Sequence, residues 1–181
     1  RSFSAAEVKP GLLTSSRLAT DGVDVIITNP PFAGAIKVTT TLRQYKLSKD
    51  EKGKARKEVE RAKLFVERCI DMLKPGGRMG IVLPQGLLNN LSDDYVREFI
   101  GERCQILASI GLHPYTFKPF TLAKTSILFV RKLEDGETMP EDYEIFTAVS
   151  QRPGKTKLGR PLYLEDGVTL DCDMDEIAAA Y

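Results

Sequence analysis

The sequence predicts an α/β fold in which a mixed sheet packs against helices and ends in an antiparallel pair of strands. Segments with strand and helix periodicity follow one another in the order strand, helix, strand, helix, strand, strand. The last two of these strands are joined by a proline-rich turn, as in a hairpin. The chain has 181 residues, 42% of them apolar, which is enough for one domain with a substantial core.

The first strand is predicted at residues 23–28 (VDVIIT), an apolar run that stops at Asn29-Pro30-Pro31-Phe32. Proline lacks the N–H that a sheet needs and holds φ near about −65°, so the strand has to end at Asn29 in a rigid, extended turn. In open α/β sheets, ligands bind at the carboxyl ends of the strands. The sequence therefore predicts a functional site at this turn.

The residue types of the turn suit an aromatic base that carries an exocyclic amine. The Asn29 side-chain oxygen and the Pro30 carbonyl can accept both N–H groups of the amine, while the Phe32 ring stacks on the base. Such an amine is a poor nucleophile because its lone pair is delocalised into the ring. Two acceptors favour the tetrahedral nitrogen that can attack an electrophilic methyl group. The alternative is a strand followed by an ordinary Pro-Pro turn.

Further elements follow from periodicity and from turn residues. Residues 57–74 carry apolar side chains at helical spacing, and Pro75-Gly76-Gly77 ends that helix before a strand at 78–83. Ser92 is predicted to cap a second helix, with two aspartates in its first turn. Strands are then expected at 105–112, 125–131 and 143–149, with a weak one near 11–14. The long polar connection from 33 to about 53 is predicted to be a functional or mobile loop.

The Asn-Pro-Pro-Phe element resembles the one with which amino-group DNA methyltransferases hold a flipped adenine. Three more stretches are similar to one branch of that family, the modification subunits of type I restriction systems: LFVERCIDMLKPGGRMGIVLPQGLL (64–88), ASIGLHPYTFKPFTLAKTSILFVRK (108–132) and LGRPLY (158–163). The resemblance implies the second half of a Rossmann-like, S-adenosylmethionine-dependent methyltransferase fold, from its fourth strand to its seventh.

The same resemblance implies a reaction and partners. A methyl group would pass from S-adenosylmethionine to N6 of an adenine flipped out of double-stranded DNA, with Asn29, Pro30, Pro31 and Phe32 as the catalytic turn. Phe117 would lie beside the target-base pocket, although a phenylalanine packed under a loop is an equal alternative. The expected partners are the specificity and restriction subunits of a type I system.

One part of the family pattern does not occur in this sequence. The family binds its methyl donor with a Phe-x-Gly-x-Gly loop after the first strand and an acidic residue after the second. We therefore expect residues 1–163 to be the carboxyl-side part of a methyltransferase domain, inactive alone, with most of the donor site elsewhere. The strand at 23–28 would then have an open edge that associates with another chain or is covered by residues 1–22.

The net charge of +1 conceals an uneven distribution of charges. Residues 43–63 hold nine basic and four acidic side chains, directly after the predicted site, whereas the tail at 164–181 is acidic. We predict that this basic stretch, residues 43–63, follows DNA phosphates; most of it belongs to a basic insertion at about residues 33–57. A solvated lysine-rich loop is the alternative. The lysines that we single out for phosphate contact are Lys46, Lys49, Lys52, Lys54, Lys118 and Lys124.

Composition limits the other functions. No apolar run is long enough to span a membrane and the sequence lacks a signal pattern, so we expect a cytoplasmic protein without membrane contact. Three widely spaced cysteines and one histidine predict reduced thiols and no metal site. Two other functions fit the pattern: a DNA-binding or subunit-assembly module without catalysis, and a methyltransferase that acts on a glutamine amide in a protein.

Overall fold

The computed structural model of the chain describes residues 22–50 and 52–181. The weak strand predicted near 11–14 lies outside the described residues, as does nearly all of the segment expected to cover the first strand. The strands are β1 (Val23–Thr28), β2 (Ala35–Ile36), β3 (Val59–Glu60), β4 (Leu73–Pro84), β5 (Cys104–Gly111), β6 (Thr125–Lys132) and β7 (Phe146–Val149). The helices are α1 (Thr39–Leu42), α2 (Arg61–Met72), α3 (Gln85–Asn89), α4 (Asp94–Gly101) and α5 (Met174–Ala180), with a 3-10 turn at Leu91–Asp93.

The main sheet has five strands in the order β1-β4-β6-β5-β7. β1 runs parallel to β4, β6 is antiparallel to both of its neighbours, and β7 runs parallel to β5. The predicted α/β class and the antiparallel pair at 104–132 are therefore confirmed. β6 inserts between β4 and β5, although β5 precedes it in the chain.

The core lies between one face of this sheet and helices α2 and α4. Met79, Ile81 and Leu83 alternate along β4 and point to the helices, as the period of a strand requires. The helices pack against these side chains with apolar residues at helical spacing, among them Val66, Ile70, Val96 and Phe99. On the opposite face, α5 packs against the sheet through Tyr181, whose ring stacks on Phe129 at 6.4 Å between centroids.

Three predicted boundaries change in the structure. α2 begins at Arg61 instead of 57, because residues 59–60 pair with β2. β4 begins five residues early, at Leu73, and its pairing with β1 jumps from Leu73 to Arg78, so Pro75-Gly76-Gly77 forms a bulge. Ser92 does not cap a helix, because it lies inside the 3-10 turn and α4 starts only at Asp94 without a side-chain cap.

The acidic tail makes more distant contacts than its composition suggests. The buried carboxylate of Asp173 accepts hydrogen bonds from the Ser150 hydroxyl (2.6 Å) and from the N–H groups of Gln151 (2.6 Å) and Arg152 (3.0 Å). Tyr181 also contacts Phe146 edge to face at 5.4 Å. The tail thus closes the second face of the sheet. In the described ranges, no helix is long and apolar enough to cross a membrane.

Candidate active site

Four connections meet at one end of the main sheet. β1 and β4 are parallel, so the turn after Thr28 and the start of α3 leave the sheet at the same end. β6 begins there as well, since Thr125 lies opposite Pro84, and β5 ends there at Gly111. The N–H of Ser150, just after β7, donates to the Gly111 carbonyl at 2.8 Å. Residues 29–34, 84–90, 112–124 and 150–173 therefore surround one site.

The Asn-Pro-Pro-Phe turn holds the groups that sequence reasoning assigns to the target base. Asn29 and Pro31 are exposed, Pro30 is buried, and Phe32 is half-buried. Among the described residues, nothing donates a hydrogen bond to the Asn29 side chain or to the Pro30 carbonyl. Both oxygens are thus able to accept from a bound amine.

Phe32 and Phe117 lie against each other, although 85 positions separate them in the sequence. Their ring centroids are 5.2 Å apart and the rings meet at 77°, an edge-to-face contact. The structure therefore brings Phe117 to the turn that carries Asn29.

The turn that carries Phe117 is supported by a segment that sequence reasoning left without a role. The ammonium of Lys155 donates to the Thr116 carbonyl at 2.9 Å. Gly159 has φ +80°, and a Cβ at this position would lie 2.6 Å from the Pro119 nitrogen, so only glycine permits the approach. The similarity of residues 158–163 to the type I subunits was the available signal for this support.

The basic insertion is an ordered small unit instead of a plain loop. β2 and β3 pair, and Leu42, Val59 and Leu64 form a separate apolar cluster beneath them. The two ends of the unit meet beside the Asn-Pro-Pro-Phe turn, where the Arg61 N–H donates to the Gly34 carbonyl at 3.0 Å.

A buried carboxylate on α2 holds the middle of the insertion. Glu67 accepts hydrogen bonds from the backbone N–H groups of Lys46 (2.6 Å) and Leu47 (2.8 Å) and is only 1% exposed. Because a charged acceptor strengthens both bonds, the segment that carries Lys46 and Lys49 is fixed to α2.

The candidate lysines for phosphate contact lie at the surface. Lys46, Lys49, Lys52, Lys54 and Lys124 are exposed and Lys118 is half-buried. Within the described part of the chain, none of these six side chains forms an ion pair.

Lys63, the last residue of the predicted basic stretch, does not lie on the surface as the prediction for that stretch requires. Its ammonium is buried and lies 2.5 Å from the carboxylate of Asp93, with Glu60 at 3.3 Å. Burial opposes the charge, but the hydrogen bond to Asp93 and the nearby acids raise the pKa of Lys63 above its ordinary value. The side chain therefore links α2 to the 3-10 turn and is not available to DNA.

The Asn-Pro-Pro-Phe turn does not by itself fit S-adenosylmethionine, the donor that the resemblance implies. Asn29, the two prolines and Phe32 offer acceptors and an aromatic face, which suit a base. None of them carries a charge for the donor's amino-acid part, and the Phe-x-Gly-x-Gly loop does not occur in the sequence. Over the described ranges, no group of three or more ligating side chains could hold a metal ion.

Curated proteins similar to this chain are DNA methyltransferases. It is 32% identical over 111 residues to the type I restriction enzyme EcoEI methylase subunit from Escherichia coli. This alignment covers 61% of this chain and 21% of that protein. It is 28% identical over 139 residues to the type II methyltransferase M.BanIII from Aneurinibacillus aneurinilyticus, covering 75% of the chain and 23% of the relative. The chain thus spans about a fifth of the length of these relatives.

Solved structures agree on the fold. The type I restriction-modification system methyltransferase subunit from Streptococcus thermophilus superposes with a TM-score of 0.61 at 18% identity, over 90% of this chain and 32% of that one. The EcoKI M protein of a type I restriction enzyme gives a TM-score of 0.53 at 19% identity, over 82% and 29% of the two chains. These likenesses confirm the S-adenosylmethionine-dependent methyltransferase fold.

The sequence profile of the N-6 DNA Methylase family matches residues 7–160, which is most of the chain. The match includes the Asn-Pro-Pro-Phe turn, Phe117 and the supporting segment around Gly159. This chain belongs to the N-6 DNA methylase family.

Proposed function

We propose that this chain forms the target-base part of an enzyme that methylates N6 of adenine in double-stranded DNA, as part of a type I restriction-modification system. The observation that carries the proposal is the contact between Phe32 and Phe117 beside the exposed Asn29. An amide acceptor, a backbone acceptor and two aromatic rings then surround one position at the carboxyl ends of the strands.

In this proposal the flipped adenine lies with its face on Phe32 and its edge toward Asn29. The Asn29 oxygen and the Pro30 carbonyl accept the two hydrogens of the exocyclic amine, which directs the nitrogen lone pair out of the ring plane. The two prolines fix the direction of that carbonyl. S-adenosylmethionine, held elsewhere, would supply an electrophilic methyl group: the new N–CH3 bond would form as the S–CH3 bond breaks, the electron pair would stay on the leaving thioether sulfur, and the amine would lose one proton to solvent.

The duplex is proposed to contact the lysines of the basic insertion and of the turn around Phe117. A base held at Asn29 leaves its phosphates at the surrounding surface, where these side chains are exposed. The similarity to the EcoEI subunit supports assembly with specificity and restriction subunits.

Substitution of Asn29 tests the proposed chemistry. In the complete protein that carries this chain, we expect Asn29→Ala to abolish methyl transfer with little change in the unfolding free energy, because the side chain is exposed. Asn29→Asp keeps an acceptor oxygen and should retain measurable transfer. The control is Asp71→Ala, an exposed polar side chain near the end of α2, at the other end of the sheet from the candidate site. Near-normal methylation by Asn29→Ala, measured with labelled donor, would show that the assigned role is wrong.

The test also separates the alternatives. A DNA-binding module without catalysis would bind DNA and transfer no methyl group in the wild-type protein. A glutamine methyltransferase would label a protein substrate and leave DNA unlabelled.

A further inference from the structure

The most exposed large apolar side chain of the described residues lies three positions after Phe117. Phe120 is 92% exposed at the tip of the connection between β5 and β6. A phenylalanine fully in water forgoes the free energy of burying its ring, so such a position suggests a surface that is covered in a complex.

The segment that presents Phe120 is held in place. Its N–H donates to the Phe117 carbonyl at 3.0 Å, so the two phenylalanines lie on one turn. Phe117 is anchored on Phe32, and Lys155 and Gly159 support the turn from the side. One ring of the turn therefore packs into the candidate site while the other extends beside it.

The charges around Phe120 match one class of partner. Residues 112–133, which include the connection that carries Phe120, contain no aspartate or glutamate, and neither does the supporting segment 150–164; the acids that follow it begin at Glu165. Lys118, Lys124, Lys157 and Arg160 lie on these connections, and within the described ranges none of them forms an ion pair. An exposed aromatic ring on a connection that carries cations and no acidic residue is complementary to the stacked bases and phosphates of a duplex.

We propose that Phe120 is a wedge that enters the DNA duplex and fills the space left by the flipped adenine. The inference rests on the proposed function and adds a positioning residue to it. Extrusion of a base removes stacking on both neighbours, and an inserted aromatic ring replaces part of it. Because Phe117 and Phe120 share one turn, the wedge and the base pocket are held at a fixed separation.

The test uses the complete protein and two duplexes that carry its methylated sequence, mapped beforehand from modified genomic DNA. One duplex is fully paired, and the other has a mismatch at the target adenine, which lowers the work of extrusion. Phe120→Ala should weaken binding to the paired duplex roughly 5- to 150-fold, the range for one aromatic stack, and should bind the mismatched duplex nearly as the wild type does. With 2-aminopurine at the target position, the variant should also show less fluorescence from the unstacked base.

Two variants serve as controls. Phe120→Leu keeps an apolar wedge and should retain most of the affinity. Ile145→Ala removes an exposed apolar side chain just before β7, at the opposite end of the sheet from the candidate site, and should change the affinity for neither duplex. All three variants should unfold at the wild-type temperature, because the substituted side chains are exposed.

Several results would overturn the wedge while leaving the proposed function in place. These are an unchanged affinity of Phe120→Ala for the paired duplex, an equal loss on both duplexes, or a loss only of subunit assembly seen in sedimentation. A wild-type protein that methylates neither duplex would instead overturn the proposed function itself.

Discussion

At the scale of single residues, the contact between Phe32 and Phe117 joins two segments that are distant in the sequence. Its edge-to-face geometry leaves the flat side of a ring available for stacking while the two rings hold each other in position. In the proposed function the pair therefore combines mutual support with base binding, which two isolated phenylalanines would not.

We expect the two rings to be energetically coupled in base binding. Phe32→Ala should weaken binding of a flipped base by about 1–3 kcal/mol, the usual value of one aromatic stack. Phe117→Ala should reduce the binding free energy by less, because it removes only the support of Phe32 and leaves the stacking ring in place. A double-mutant cycle, with binding followed by 2-aminopurine fluorescence, should give a coupling energy of at least about 0.5 kcal/mol. Strict additivity would argue that the rings act independently.

The residue scale also shows a limit of sequence reasoning. Lys63 belongs to a run of basic residues and carries no mark that separates it from the others. Only the packing of α2 against the 3-10 turn places it on Asp93 and removes it from the surface. Charge runs predict a net field, whereas burial decides which charges produce it.

At the scale of elements, the basic insertion presents its lysines from a folded unit. We expect a variant with glutamine at positions 46, 49, 52 and 54 to bind DNA with a weaker dependence on salt. The slope of log affinity against log salt should fall by about one for each phosphate contact removed. Lys74→Gln is the control, since Lys74 pairs with Asp24 at the other end of the sheet. An unchanged slope would show that these lysines do not contact phosphates and belong to ordinary solvated surface.

Asp173, in the acidic tail, leads to a prediction for how the stability of the fold depends on pH. Burial alone would raise the pKa of Asp173, but the hydrogen bonds from Ser150, Gln151 and Arg152 lower it below 3.8. A carboxyl group with a depressed folded pKa adds stability above its unfolded pKa, and this stability is lost as pH falls through the folded value.

Asp173→Asn should therefore lower the unfolding free energy by about 2 kcal/mol near neutral pH, because it weakens bonds to a charged acceptor. The penalty should shrink as pH falls below the unfolded pKa of about 4 and should be lost once pH falls through the depressed folded pKa of the carboxyl group. Asp175→Asn, in the exposed first turn of α5, is the matched control. Denaturant titrations at several pH values measure both, and a penalty that does not change with pH would contradict the assignment.

Element boundaries and types followed from the sequence where one local signal was dominant. The prolines after Thr28 end β1 as expected, and the apolar run of 125–131 is β6 almost to the residue. The insertion was missed as a folded unit because its small core draws on Leu42, Val59 and Leu64, which no single period links. The bulge in β4 was missed because a Pro-Gly-Gly motif is typical of a helix end and does not show that the next strand has already begun.

At the scale of the whole molecule, the strand order places β1 at the margin of the main sheet. Among the described residues, β1 pairs only with β4, and Val25 and Ile27 are 61% and 85% exposed. Unpaired strand margins with apolar side chains promote pairing with another chain.

The contact between Phe32 and Phe117 could be expected from the sequence only through the family resemblance. It depends on the order of the strands in the sheet, in which β6 lies between β4 and β5.

We expect the margin of β1 to be covered in solution, by association or by residues 1–22. Sedimentation of the 181-residue chain gives the oligomeric state, and amide hydrogen exchange should show protection along β1 in either case. If the chain associates, Ile27→Lys should weaken the association and Leu91→Lys should not. A monomer whose β1 amides exchange rapidly would contradict this expectation.

The anchoring of the insertion by Glu67 has a thermodynamic consequence for recognition. A flexible basic arm loses conformational entropy when it settles on a duplex, and that loss reduces its affinity. Here the arm is already ordered by a buried carboxylate and a cluster of aliphatic side chains. In the proposed complex with DNA, the entropic cost would therefore fall on folding instead of binding, and the attraction between lysines and phosphates would be available from the first encounter.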